Sequence, residues 1–194
     1  MFLKTQSNRK KVMKIIETGF KGLVVIKPKI FRDPRGYFFE SYNQVALNNA
    51  GITFTPVQDN ESKSAKGVIR GLHYQLTPHG QAKLIRVIEG KIFDVALDLR
   101  RNSRTFGKWF GIDLDSENKD QVLIPAGFAH GFSVLSGSAI IQYKCDNVYN
   151  QEYERGIFPN DPFLDINWKT GSAPQIISDK DLKQPLFKDA EYDF

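Results

Sequence analysis

Several residue types that mark common protein classes are scarce in this 194-residue chain. The single cysteine, Cys145, cannot form an internal disulfide, which favours a reducing compartment. Only three histidines occur, His73, His79 and His130, and their spacing does not predict a clustered metal site. No apolar stretch approaches the length of a membrane span, and the N-terminus lacks the apolar core of a secretory signal. We therefore expect a cytoplasmic protein that does not bind membranes.

Acidic residues are absent from the first twelve positions, which hold four basic ones. The net charge of the chain is +5, and subtracting those four leaves +1 for the remainder. Because the basic character belongs to one end and no recognition motif accompanies it, nucleic-acid binding is not predicted. We interpret residues 1–12 as a basic N-terminal extension, with Met13 as an alternative start, and residues 13–194 as a single domain.

Short alternating segments separated by turn residues dominate the rest of the chain. They predict strands at 23–31, 36–42, 53–58, 68–75, 83–89, 91–99, 108–114, 121–124 and 139–145, with another strand entered through the glycine-containing turn at 125–132. Gly90 is predicted to form a hairpin turn between two of them. Short helices are indicated at 43–50 and at 178–182, where Ser178 is the expected N-cap. The pattern predicts an all-β domain, either a sandwich or a jelly roll, with a small helical trim.

Groups suited to acid–base chemistry are concentrated between positions 70 and 83. Imidazole exchanges protons near neutral pH, so His73 is the leading candidate for a general base. Arg70, and Arg35 earlier in the chain, can grip phosphate through two parallel hydrogen bonds. Lys83 can stabilise an enolate oxygen by direct charge contact in a dry site. Each has a structural alternative: a packed strand histidine, a solvated arginine or an outward-facing strand lysine.

Two residues further along the chain could complete such a site. Tyr143 lies on the last long predicted strand, where a buried phenol can act as a general acid, although a strand tyrosine is more often part of a core. Asp181, in the second predicted helix, could orient His73, but spacing alone does not reveal that pairing. Gln75 stands two positions after His73, where a histidine-based metal motif would need a second ligand, so no metal is expected.

Seven local motifs of the chain resemble the dTDP-4-dehydrorhamnose 3,5-epimerase family. They are DPRGYFFESYN, VQDNESKS, VIRGLHYQ, KLIRVIEGKIFDVALDLR, IPAGFAHGF, QYKCDNVYNQEYERGI and ISDKDLKQP. The resemblance implies a cupin-type double-sheet jelly roll, usually a homodimer, that needs neither a metal nor an organic cofactor. It also implies an isomerase that converts dTDP-4-dehydro-6-deoxy-D-glucose to dTDP-4-dehydro-L-rhamnose during dTDP-L-rhamnose synthesis.

The same resemblance assigns roles to individual residues. His73 matches the base, Asp181 the partner of that base, and Tyr143 the general acid on the opposite face of the sugar. Lys83 matches the lysine that stabilises the enolate. The positions that match residues lining the nucleotide-sugar site are Arg35, Glu40, Gln58, Asn60, Arg70, His130, Glu154 and Lys180.

One position departs from the family pattern. Many members carry two adjacent tyrosines where this chain has Val148 followed by Tyr149. A related nucleotide-sugar enzyme, a 3- or 5-epimerase or a ketoisomerase, is therefore the first alternative. A non-catalytic sugar-binding cupin is the second, but pure binding would not require the acid and base assigned above.

Overall fold

The computed structural model describes residues 13–194, and strands dominate this part of the chain. The strands are β1 (Met13–Glu17), β2 (Val24–Pro28), β3 (Phe31–Asp33), β4 (Gly36–Phe38), β5 (Gln58–Ala65), β6 (Ile69–Gln75), β7 (Lys83–Glu89), β8 (Lys91–Asp98), β9 (Trp109–Asp115), β10 (Gln121–Ile124), β11 (Phe128–Val134), β12 (Ser138–Cys145) and β13 (Glu154–Gly156). Two short helices, α1 (Gln44–Asn49) and α2 (Asp179–Leu182), and a 3₁₀ turn at Phe187–Asp189 accompany them. None of these helices is long and apolar enough to cross a membrane. The predicted basic extension, residues 1–12, lies outside the described residues.

Two antiparallel sheets form the body of the fold. The six-stranded sheet has the order β1-β2-β10-β7-β12-β5, and the five-stranded sheet has the order β13-β6-β11-β8-β9. Strands β3 and β4 form a separate hairpin. The chain crosses repeatedly between the two large sheets, as it does from β7 to β8 and from β11 to β12. The predicted all-β, double-sheet jelly roll with a short helical trim is confirmed.

Gly90 lies at a corner between the sheets, so the predicted hairpin turn is wrong. Strand β7 belongs to the six-stranded sheet and β8 to the five-stranded one, and the two do not pair. The φ angle of Gly90 is 81°, and a Cβ at this position would collide with the carbonyl oxygen of Ser138. Glycine is required here because the corner combines a left-handed backbone with close approach to the start of β12.

An apolar core joins the inner faces of the two sheets. Ile85 of β7 and Ile141 of β12 contribute from one sheet, and Ile92 of β8 and Phe128 of β11 contribute from the other. All four are almost completely buried, and each buried side chain of this size stabilises the fold by roughly 1.5–3 kcal/mol. Toward one end of β7 and β12 the inward positions change to Lys83 and Tyr143, and there the space between the sheets opens into a cavity.

Both predicted helices are present and are capped by side chains. Asn43 accepts a hydrogen bond from the backbone N–H of Ala46 at the start of α1, at 3.0 Å. Ser178 accepts one from the backbone N–H of Asp181 at the start of α2, at 3.1 Å, as predicted. The second cap fixes the helix that carries Asp181.

The sequence pattern did not predict the position of strand β5 correctly. An extended stretch was expected at 53–58, whereas the strand begins at Gln58 and runs through polar residues to Ala65. The inner side chains of β5 face a polar cavity and the outer ones face solvent, so the strand lacks the apolar alternation that identifies a half-buried strand. The strand expected at 36–42 is also shorter, ending at Phe38.

Candidate active site

A cavity of about 710 Å³ lies between the two sheets. Strands β5, β7 and β12 supply one wall, and β6 and β11 supply the facing wall. Residues between 176 and 181, which include the start of α2, and residues near β13 complete the lining. All four residues predicted to be catalytic line this cavity, although they are separated by up to 108 positions in the chain.

His73 and Asp181 form a hydrogen-bonded pair. The Nε2 atom of His73 lies 2.7 Å from Oδ1 of Asp181, and the other carboxylate oxygen accepts from the backbone N–H of Gly71 at 3.4 Å. Burial acts to raise the pKa of Asp181, but the hydrogen bonds from His73 and Gly71 outweigh it and lower that pKa. An ionised Asp181 favours a proton on Nε2, so Nδ1 is the basic atom of the neutral His73 ring.

Lys83 brings a buried cation to the facing wall. It begins β7 and pairs with Cys145 of β12. Its residue exposure is only 9%, and its ammonium makes no hydrogen bond or ion pair within residues 13–194. Burial lowers the pKa of Lys83, while Cys145, Asp146 and Glu154 act weakly in the opposite direction. A largely buried cation without a protein partner at a cavity wall is suited to an oxyanion that develops during a reaction.

Tyr143 lies on the same wall as Lys83, in β12. Burial raises the pKa of its phenol, the nearby Cys145 and Glu154 add to the rise, and Arg70 opposes it. The phenol therefore keeps its proton at neutral pH and is able to act as an acid. His73 belongs to the five-stranded sheet and Tyr143 to the six-stranded sheet, so the base and the acid approach the cavity from opposite walls.

Six of the residues predicted to bind substrate also line the cavity. They are Gln58, Asn60, Arg70, His130, Glu154 and Lys180. Lys180 donates to Glu154 at 2.6 Å, and the hydroxyl of Tyr149 donates to the same carboxylate at 2.7 Å. Burial acts to raise the pKa of Glu154, but these two hydrogen bonds outweigh it and lower that pKa. Glu154, Lys180 and Tyr149 are therefore held in a fixed arrangement by their mutual hydrogen bonds.

Arg35 and Glu40, the other two predicted binding residues, lie away from this cavity in the single chain. Arg35 sits at the turn between β3 and β4, with 89% of its side chain exposed, and it pairs with Asp33 at 2.6 Å. Glu40 follows the hairpin and accepts a hydrogen bond from the side chain of Asn43 at 2.8 Å. Neither residue contributes to the lining of the cavity in its own chain.

Some residues in the cavity or directly behind it were not predicted from the sequence. Asp94, which lies behind the lining, is almost completely buried in β8 and accepts from Nε2 of His130 at 2.8 Å, which orients the imidazole. The acidic residue inside the apolar run KIFDVAL could have indicated a buried, partnered carboxylate, because buried carboxylates need a partner. Ser62 and Tyr149 line the cavity itself, and the local pattern around them carries no such signal.

Val148, which departs from the family pattern, does not line the cavity. Its side chain is half exposed. Its carbonyl oxygen accepts a hydrogen bond at 3.2 Å from the side chain of Gln75, which does line the cavity. The adjacent Tyr149 supplies the aromatic ring at the cavity. Among residues 13–194, no group of three or more His, Cys, Asp and Glu side chains is arranged to hold a metal ion.

The chain is similar to a known protein family over most of its length. A family model described as dTDP-4-dehydrorhamnose 3,5-epimerase matches residues 17–189. A dTDP-4-dehydrorhamnose 3,5-epimerase from Shigella flexneri is 49% identical over 181 residues, which cover 93% of this chain and 99% of that protein.

Solved structures show the same similarity in three dimensions. The crystal structure of such an epimerase from Elizabethkingia anophelis has 50% identity and a TM-score of 0.87, covering 92% of this chain and 98% of that one. A 3,5-epimerase from Legionella pneumophila has 48% identity and a TM-score of 0.85, covering 90% and 92% of the two chains. The Legionella enzyme was solved in complex with dTDP-4-keto-L-rhamnose.

Proposed function

Because the chain belongs to the dTDP-4-dehydrorhamnose 3,5-epimerase family, we infer that it is an isomerase acting on a dTDP-linked 4-keto sugar. It converts dTDP-4-dehydro-6-deoxy-D-glucose to dTDP-4-dehydro-L-rhamnose, in the pathway to dTDP-L-rhamnose. The jelly roll is of the cupin type. The observation that carries this assignment is the presence of an acid and a base on opposite walls of one cavity, beside a buried lysine.

The proposed mechanism uses the ketone at C4 of the sugar. A proton on C3 or C5 is acidic because the carbanion delocalises onto the C4 oxygen as an enolate. His73 removes this proton from one face of the sugar, and Asp181 stabilises the imidazolium that forms. Lys83 stabilises the enolate oxygen by charge contact. Tyr143 then delivers a proton to the opposite face, which inverts the carbon. Solvent afterwards returns a proton to the phenolate and accepts the proton held by the His73 imidazolium.

The other cavity residues are proposed to hold the nucleotide part of the substrate. Arg70 contributes a guanidinium and Lys180 an ammonium, the groups that bind a diphosphate. Gln58, Asn60 and Glu154 add uncharged and acidic hydrogen-bonding groups for the base and sugars. His130, which is fixed by Asp94, lies next to His73 on the paired strand β11.

Arg35 and Glu40 are proposed to reach a site by crossing to a second copy of the chain. The β3–β4 hairpin exposes Phe31, Tyr37 and Phe38, with 47%, 53% and 65% of their surfaces accessible. Clustered exposed aromatic side chains are typical of an interaction surface. Docking of this hairpin on a partner would bury these rings and bring Arg35 toward the cavity of the partner, so the protein is proposed to be a homodimer.

Mixing two inactive variants tests this arrangement. Arg35→Ala and His73→Asn subunits should each have low activity, but a mixed dimer would combine the intact His73 of one subunit with the intact Arg35 of the other. Recovery of activity after mixing, together with a dimer mass in sedimentation, is the expected result. A monomer mass, or no recovery after confirmed subunit exchange, would contradict it.

We also propose that residues 13–194 act as one domain in the cytoplasm and that catalysis needs neither metal nor organic cofactor. The single free thiol, Cys145, is compatible with a reducing compartment. Turnover should be unchanged after dialysis against a strong chelator. Loss of turnover that one divalent ion restores would overturn the cofactor proposal.

The function itself is tested by product analysis. Purified protein incubated with dTDP-4-dehydro-6-deoxy-D-glucose, followed by chemical or enzymatic reduction at C4, should yield a sugar of the L-rhamnose configuration by proton NMR. Recovery of only the D-configured sugar, despite measurable dTDP binding, would leave the non-catalytic alternative. A product inverted at one carbon would indicate the single-carbon alternative.

A further inference from the structure

Strand β5 presents four polar side chains to the interior, and one of them has no partner. Gln58, Asn60, Ser62 and Ser64 alternate with outward residues along the strand. Gln58 donates to Asn60 at 3.0 Å, and Ser64 accepts from Nε of Arg70 at 3.0 Å. The hydroxyl oxygen of Ser62 is shielded from solvent and makes no hydrogen bond within residues 13–194. Among these four side chains of β5, Ser62 is thus the one that the described residues leave without a hydrogen bond.

An unpaired buried hydroxyl is uncommon in native proteins, because it has lost its hydrogen bonds to water without replacement. Ser62 lines the cavity. Rotation of its side chain to another staggered position redirects Oγ without any movement of β5. A ligand in the cavity can therefore supply the missing partner.

The neighbours of Ser62 indicate which part of a ligand it would contact. The next inward residue on one side is Ser64, which holds Arg70, the proposed diphosphate ligand. The next inward residue on the other side is Asn60, which pairs with the general-acid candidate Tyr143. A group bound at Ser62 would lie between the diphosphate and the reacting carbons, and that part of the substrate is the hexose ring.

We propose that Ser62 is a specificity-determining residue that hydrogen-bonds an oxygen of the hexose ring. The inference rests on the proposed function, because it requires a nucleotide sugar in this cavity. Ser62 would then discriminate between the nucleotide sugar and the nucleotide diphosphate alone.

The Ser62→Ala variant tests the proposal through three readouts. For dTDP-4-dehydro-6-deoxyglucose, kcat/KM should fall by about 3- to 10-fold, the effect of one uncharged hydrogen bond. The Kd for dTDP should be nearly unchanged, because dTDP lacks the hexose. The Tm of the free variant should be equal to or higher than that of the wild type, because an unsatisfied hydroxyl is removed. Lys63→Ala, on the outer face of the same strand, is the matched control and should change none of these.

A second variant, Ser62→Cys, keeps a side chain of similar size but is a weaker donor, and it should lose less than Ser62→Ala. An unchanged kcat/KM in Ser62→Ala would overturn the proposal, and an equal loss of dTDP affinity would assign Ser62 to the phosphates instead. A lowered Tm that accompanies the loss of activity would show a structural role. If the wild-type protein shows no turnover at all, the proposed function fails, whereas an active wild type with an unaffected variant defeats only this inference.

Discussion

The two walls of the cavity hold their reactive groups in different ways. On the five-stranded wall, His73 is partly exposed and is hydrogen-bonded to the buried Asp181, which accepts a further hydrogen bond from the backbone of Gly71. On the six-stranded wall, Lys83 is buried and its ammonium has no partner within residues 13–194. The base is held by hydrogen bonds, whereas the buried ammonium is left without a partner among the described residues.

This difference matches the proposed roles of the two walls. A base must be aimed at one hydrogen, and a hydrogen bond to the ring fixes that aim. A cation that stabilises an enolate is most effective when no other anion or water competes for it. Burial lowers the pKa of Lys83, so its charge is destabilised in the free protein until an anionic intermediate forms between the walls, whereas the raised pKa of Tyr143 keeps its phenol protonated.

The largest expected effect comes from removing the base. His73→Asn should lower kcat by about 10³-fold, within the range of general acid–base catalysis, because the cavity then lacks its proposed base. The affinity for dTDP, measured by calorimetry, should be nearly unchanged, because Arg70 and Lys180 remain. His79→Asn makes the same chemical change outside the cavity and is the control. A His73→Asn variant with a substantial rate would show that His73 is not the base.

Removing the buried cation should have a slightly smaller effect on the rate than removing the base, and it should increase the stability of the protein. Lys83→Met is expected to lower kcat by roughly 10²–10³-fold through loss of oxyanion stabilisation. The same variant should be more stable than the wild type, because an unpaired buried charge is replaced by an apolar chain of similar length. Lys63→Met, on the exposed face of β5, is the control for both readouts. A Lys83→Met variant that keeps its rate, or that loses stability, would contradict this account of the six-stranded wall.

The stability difference between Lys83→Met and the wild type should depend on pH. Because the pKa of Lys83 is lowered in the folded protein, the unfolded state binds this proton more tightly. Wild-type stability from this group therefore rises with pH between the lowered folded value and about 10.4, the value for an unfolded lysine. Denaturant unfolding at neutral and alkaline pH should show the gap between the two proteins shrinking as pH rises. A gap that widened would contradict the assigned shift.

The dyad partner should give the smallest of the three rate effects. Asp181→Asn is expected to lower kcat roughly 10²-fold, because the base remains but its orientation and its protonated form lose support. The pKa of Asp181 is lowered in the folded protein, so its stabilisation is present above about pH 4 and is lost as pH falls through the folded value. The variant should therefore differ from the wild type at neutral pH and converge with it in acid. An unchanged rate would leave Asp181 with only a structural role in α2.

The sequence predicted the apolar half of this molecule better than its polar half. Strands β7 and β8 follow apolar patterns that match the core, and Ser178 was identified as a cap from its local chemistry. Strand β5 escaped detection because its inner face meets a polar cavity. The sequence around Gly90 predicts a hairpin, and the structure has a corner there, because local pattern does not specify which sheet a strand joins.

The residues of the site also differ in how well the sequence predicts them. His73 and Lys83 stood out by residue type and proximity in sequence, whereas the pairing of His73 with Asp181 depends on a contact across 108 positions. That assignment, like that of Tyr143, came from the resemblance to a known family. Ser62 had neither source of information, because its only distinguishing property is an unsatisfied hydroxyl that the fold creates.

Solvent exchange is the most direct test of a base and an acid acting from opposite walls. In D₂O, the native protein should introduce deuterium at both C3 and C5 of dTDP-4-dehydro-6-deoxyglucose, seen by proton NMR as the loss of both signals. Tyr143→Phe should still exchange protons through His73 but form much less inverted product, whereas Tyr42→Phe, outside the cavity, should behave like the wild type. Exchange at both carbons with inversion dependent on Tyr143 is the predicted result. Exchange at one carbon only, or full inversion without the Tyr143 hydroxyl, would contradict it.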